Sequence, residues 1–69
     1  MSELSQQVAD MIRATRRAKN LTQEDMAYLL GVSKATYNRF ENGRQNMTLE
    51  TLRKIGEVLK VKLVIFYED

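Results

Sequence analysis

Gly31 constrains this chain more than any other residue, because it separates two short stretches that each read as an amphipathic helix. A helix commonly ends in a left-handed residue, and only glycine adopts that conformation without penalty. The stretch before it opens at Thr22, an N-cap residue, with Asp25 three positions on to complete a capping box. Met26, Ala27, Leu29 and Leu30 then fall on one side. Beyond Gly31, Ser33 caps a second helix that runs to about Asn42, and Asn42-Gly43 closes it. Residues 22–44 are therefore predicted to be two helices joined by a tight turn.

The second helix has two unlike faces. At about 100° per residue, Tyr37 and Phe40 share one side, while Lys34, Ala35, Asn38 and Arg39 cluster on the other. The apolar side has to pack on the first helix, so the polar side is held outward. A donor-rich face with a small alanine at its centre can enter a DNA major groove, where a bulky residue would hold the helix off. This is the layout of a helix-turn-helix with residues 33–42 as recognition helix.

The remaining residues supply a frame. Leu4, Val8, Met11, Ile12, Thr15 and Ala18 repeat at helical spacing, which predicts a first helix from Leu4 to about Lys19. Arg13, Arg16, Arg17 and Lys19 enrich its second half, where cations complement the helix dipole. Arg16 borders the apolar arc of that helix, and Glu41 borders the Tyr37/Phe40 face. An ion pair between them, fixing the first helix to the recognition helix, is the specific expectation. Gln23 stands in a first helical turn, where its amide has either a DNA phosphate or a neighbouring side chain to bond. Tyr28 lies off the apolar arc and is expected to be exposed. Thr48 caps a further helix in which Leu49, Leu52, Ile55 and Leu59 recur, with Gly56 in the same arc. A glycine there suggests close approach of another backbone, from the first helix or a second subunit, or else tolerated drift.

The last segment, Val61-Lys62-Leu63-Val64-Ile65-Phe66-Tyr67, is β-branched and aromatic and favours a strand. No other segment reads as a strand, so its partner is expected from a second copy of the chain. Two such tails pairing antiparallel about a two-fold axis would make a dimer through Leu63, Val64, Ile65 and Phe66. The alternative is that the preceding helix continues to Phe66, since neither Gly nor Pro intervenes. The division expected is a DNA-binding domain over residues 1–60 and a dimerisation tail over 61–69.

Composition narrows the chemistry. The 69 residues contain no Cys and no His, which removes disulfides and the usual zinc and nucleophile constellations. No catalytic residue, metal or cofactor is expected, and an enzyme is disfavoured: Glu24 and Asp25 sit where dipole and capping place acids. The net charge is +2. Residues 1–44 hold seven Lys/Arg against five acids, and residues 45–69 four of each, so the basic excess lies with the helix pair. There is no 18-residue apolar run or signal peptide, and a cytoplasmic protein, associated with the bacterial nucleoid when bound, is expected, without a membrane partner.

With these residues in hand, the chain resembles the Cro/C1-type helix-turn-helix family, also called the Xre family. The likeness rests on Leu21-Thr22-Gln23-Glu24, Met26-Ala27, Leu30-Gly31-Val32-Ser33, Tyr37 and Phe40-Glu41-Asn42-Gly43, and it covers about residues 8–61. It implies a mainly α, lambda-repressor-like bundle of four to five helices, here with a C-terminal β-strand pairing across a dimer. Arg16 and Glu41 stand where the family has its interhelical ion pair. Gln23, Lys34, Ala35 and Arg39 match DNA-contacting positions, and Asn42 and Arg44 match phosphate-contacting ones. The short tail is similar to HipB-type antitoxins, which implies repression of its own operon and a kinase-like toxin as partner.

The expected mechanism divides the contacts in two. Gln23, Ser33, Thr36, Asn42 and Arg44 would meet phosphates and set register. Lys34 and Arg39 would donate to guanine, Asn38 would reach an adjacent base or phosphate, and Ala35 would meet a thymine methyl. A homodimer would require a palindromic operator with half-sites about one turn (~34 Å) apart. The rival readings are a free-standing phage-type repressor, a restriction-modification controller, and a protein-interaction adaptor that does not bind DNA.

Overall fold

Helices α1 (Glu3–Ala18), α2 (Gln23–Leu30), α3 (Lys34–Glu41) and α4 (Leu49–Leu59) follow one another in the computed structural model, which describes residues 3–45 and 47–61. Among these residues there is no strand. The tail, residues 62–69, and with it the expected dimer residues Leu63, Val64, Ile65 and Phe66, lies outside the described residues.

Each interior helix start is capped by a hydroxyl. The Thr22 oxygen accepts from the Asp25 amide at 3.0 Å, and the Asp25 carboxylate accepts from the Thr22 amide at 2.9 Å, which closes the capping box. The bond from the Thr22 amide, with the Thr22 side chain beside it, holds the Asp25 carboxyl below its ordinary pKa. Ser33 caps α3 through the Thr36 amide (3.0 Å), and Thr48 caps α4 through the Thr51 amide (3.1 Å).

The helix ends share one device. After each helix comes a left-handed residue: Asn20 (φ 59°), Gly31 (72°), Gly43 (66°) and Lys60 (58°). In all four cases the amide after it reaches back to a carbonyl five residues earlier: Leu21 to Arg16, Val32 to Ala27, Arg44 to Arg39 and Val61 to Gly56. These are Schellman closures. At three of them the residue that follows, Leu21, Val32 or Val61, is apolar and packs against the core. Lys60 therefore ends α4 at Leu59, and the helix does not run on through residue 60.

The core draws on every helix: Val8 and Ile12 from α1, Met26 and Ala27 from α2, Tyr37 and Phe40 from α3, and Leu52, Ile55 and Leu59 from α4. Helix α2 packs on both α3 and α4, and α1 packs on α3. Tyr37 and Phe40 meet edge to face with ring centres 6.4 Å apart. Gly56 is buried in the inward face of α4. Two leucines differ from the periodicity. Leu29 is 54% exposed, because α2 turns inward about Met26, Ala27 and Leu30, and Leu29 sits at the edge of that arc beside exposed Tyr28. Leu49, the first residue of α4, is 70% exposed, and the buried arc begins at Leu52.

Candidate nucleic-acid interface

The geometry of α3 is set from beneath by one buried charge. Glu41 is fully buried, and Arg16 of α1 meets it side-on: Nε donates to Oε2 at 2.5 Å and Nη2 to Oε1 at 3.1 Å. The remaining arm of Arg16, Nη1, donates to the Leu21 carbonyl at 2.7 Å, in the connector that leads into α2. A two-point bond between planar groups fixes direction as well as distance. Burial works against the Glu41 charge, but its polar neighbours, Arg16 first and then Tyr37 and Gln23, outweigh it and hold the carboxyl below its ordinary range. The same pairing raises Arg16.

Arg13, one turn earlier on α1, donates from Nη1 to the Glu41 backbone carbonyl at 3.1 Å and is braced by Asp10 at 2.7 Å. It does more than complement the dipole of its own helix, since it satisfies an open carbonyl at the end of α3. Sequence periodicity gives no sign of this contact, because Arg13 lies outside the apolar arc. Gly43 closes the same corner: a Cβ there would come within 2.7 Å of the Gln6 side-chain oxygen. The Tyr37 hydroxyl is buried beside Glu41 and Arg16 and has no hydrogen-bond partner among the described residues. Burial, with the Glu41 charge beside it, pushes this phenol far above its ordinary pKa, so it stays neutral.

On the outward side, Gln23, Lys34, Ala35, Asn38, Arg39 and Arg44 line a single shallow groove. Lys34, Ala35, Asn38 and Arg39 are all exposed on α3. Lys34 rests against Glu24 of α2, with Nζ 3.2 Å from Oε1. Arg39 and Arg44 form no ion pair among the described residues. Gln23 bonds neighbouring side chains: its Nε2 donates to Glu41 Oε1 at 3.2 Å, and its Oε1 accepts from Asn38 Nδ2 at 3.2 Å. Asn38 Oδ1 accepts in turn from Asn42 Nδ2 at 2.9 Å. Ser33 and Thr36 share a hydroxyl bond of 2.9 Å at the start of α3. The structure thus brings together the residues read as base contacts with Gln23 and Arg44, and links Asn42 through Asn38. Asn38 and Asn42 are neighbours at i, i+4 on one helix, but the links through Gln23 have no signature in spacing, because they join two helices.

No group of three metal-ligating side chains occurs among the described residues. Among them, too, no helix is long and apolar enough to cross a membrane.

Comparison with known proteins agrees with this geometry. A family model described as Helix-turn-helix (HTH_3) matches residues 12–66. An uncharacterized HTH-type transcriptional regulator, MJ0272, of Methanocaldococcus jannaschii is 41% identical, over 78% of this chain and 85% of its own length. The antitoxin HipB of Escherichia coli is 32% identical over 86% of this chain and 67% of its own length. The chain spans only 20% of the length of a putative HTH-type transcriptional regulatory protein of Methanocella arvoryzae, at 32% identity. Among solved structures, a variant of the restriction-modification controller protein C.Esp1396I superposes with a TM-score of 0.82 at 31% identity, covering 88% of this chain and 77% of that one.

Proposed function

This chain belongs to the helix-turn-helix family of transcriptional regulators, and from that premise we propose that it represses transcription as a homodimer on a palindromic double-stranded DNA operator. One observation carries the reading: a face of exposed Lys34, Ala35, Asn38 and Arg39 sits on a helix whose far end is clamped by a buried, two-point ion pair. A rigid donor-rich helix is what base readout in a major groove requires. Lys34 and Arg39 donate to guanine O6 and N7, and Ala35 meets a thymine methyl. Gln23, Ser33, Thr36, Asn42 and Arg44 hold phosphates and set register, with the helix N-termini beside them. Residues 1–60 form the DNA-binding unit, and residues 61–69, with Leu63, Val64, Ile65 and Phe66, join two copies.

The likeness to HipB supports an antitoxin that regulates its own operon in the cytoplasm, with a kinase-like toxin as protein partner. The similarity to C.Esp1396I favours a second reading, a restriction-modification controller. Both share the same DNA-binding step. An adaptor without DNA binding predicts no affinity for any duplex at low salt.

The test is binding to the chain's own upstream region and to random duplex across a salt series. A specific regulator binds the upstream site at least ~10³-fold more tightly. Equal and steeply salt-dependent binding to both would leave only a basic surface meeting phosphates. Genes for a kinase-like protein or for a restriction enzyme beside this one separate the two operon readings.

A further inference from the structure

A buried carboxylate can only accept hydrogen bonds, whereas a side-chain amide has one donating and one accepting end. In this protein three amides are strung from such a carboxylate to the surface. Glu41 Oε1 takes Gln23 Nε2 at 3.2 Å, so the Gln23 oxygen must face away from it. That oxygen takes Asn38 Nδ2 at 3.2 Å, so the Asn38 oxygen must face away in turn, and it takes Asn42 Nδ2 at 2.9 Å. Turning any one amide over would set two donors or two acceptors against each other, at a cost in unmade hydrogen bonds. The sense of the whole string is therefore dictated by Glu41, which is fully buried and itself oriented by Arg16.

Asn38 is exposed on the groove-facing side of α3. After its two internal bonds it retains one N–H and one lone pair, the donor–acceptor couple that adenine N7 and N6 take in the major groove. The donor lies toward α2 and the acceptor toward the C-terminal end of α3. We infer that Glu41, acting through Gln23, is a positioning residue for base recognition: it locks the Asn38 amide in the sense that reads an adenine. This deepens the proposed function and rests on it.

Two measurements test the inference. In the DNA-free protein, ¹⁵N relaxation of the Asn38 side-chain amide reports whether it is held. It should be as rigid as the backbone in the wild type and mobile in Gln23→Met and Glu41→Gln. Unchanged rigidity in Gln23→Met would overturn the string without reference to DNA. The second measurement is selection of binding sites from a random duplex library, with thermal melting of each variant as a control. Asn38→Ala should relax one A·T pair in each half-site. Gln23→Met and Glu41→Gln should relax that same pair by at least ~5-fold, while the guanine positions keep their preference. If Asn38→Ala relaxes that pair and Gln23→Met leaves it at wild-type strength, the positioning role is refuted. A G·C pair at that position, or none, refutes the adenine assignment. Should Glu41→Gln fail to fold, Gln23→Met carries the test alone, because Gln23 is only half-buried. A library from which the wild type enriches nothing would defeat the DNA-binding reading itself, and the recognition role with it, whatever the relaxation data show.

Discussion

Glu41 holds a full charge in the interior because three donors reach it: Arg16 twice and Gln23 once. Removing one partner leaves the other charge buried and alone. Arg16→Ala is therefore expected to destabilise the domain by about 3–5 kcal/mol in urea denaturation, whereas the paired change Arg16→Met with Glu41→Leu should lose much less. The pair also gives stability a pH dependence of definite sign. The Glu41 carboxyl lies below its ordinary value of 4.5 in the folded state, so between the two values the unfolded chain binds more protons. Its contribution is complete above about 4.5 and is lost as pH falls through the lower, folded value. Denaturation midpoints measured from neutral pH downward should fall in that range for the wild type, and the acid-dependent part should shrink in the double variant. At the groove, Lys34→Ala is expected to cost ~1–3 kcal/mol at one base position and to relax specificity there. An equal loss on all sequences would make Lys34 a phosphate contact instead.

At the scale of the element, the four helices differ in composition but end alike, and the left-handed residue carries the cost. Lys60 holds φ 58° with a Cβ, which strains it by about 1 kcal/mol relative to glycine. Lys60→Gly should therefore raise the melting temperature, by about 0.5–1 kcal/mol of stability, and Gly31→Ala should lower it by about 1–2 kcal/mol. These ends also mark what the sequence could and could not disclose. Thr22 with Asp25, Gly31, Ser33 and Gly43 announce their helix boundaries, because each residue type has a local reason to be there. Lys60 carries no such mark, and Asn20 only the weaker one of an asparagine, which tolerates the left-handed conformation better than most residues with a Cβ. Their conformation is imposed by the next residue, Leu21 or Val61, seeking the core, and that pull is a tertiary effect. The same limit explains Leu29 and Leu49, whose apolar side chains fit a helical period but sit outside the arc that the neighbouring helices cover. Arg16 and Glu41 were within reach because each borders an apolar face. The link from Arg13 to the Glu41 carbonyl, and the bond from Asn38 to Gln23, depend on how two helices are juxtaposed.

Taken whole, the molecule divides its work between two sides of α3. Helix α1 holds the inner and C-terminal side, while α2 flanks the groove and contributes Gln23 and Glu24 to its edge. Glu24 pairs with the Lys34 ammonium, so DNA bound as proposed would have to displace a carboxylate as well as counterions. Glu24→Gln should tighten binding to specific and random duplex alike, by up to about 5-fold at low salt, with the gain fading as salt rises. Equilibrium binding at two ionic strengths would show it. At the same scale, removal of residues 61–69 is expected to give monomers and much weaker operator binding; an unchanged dimer in sedimentation would end the proposal of a paired tail. The clamp on α3 has a practical corollary for anyone wishing to redirect the protein to another operator. Lys34, Ala35 and Arg39 make no side-chain bond to α1 or α4 among the described residues, so in the proposed mode of reading they form an alphabet that can be rewritten without disturbing the scaffold. Asn38 is different: it is spelled together with Gln23, and the two have to be exchanged as one letter.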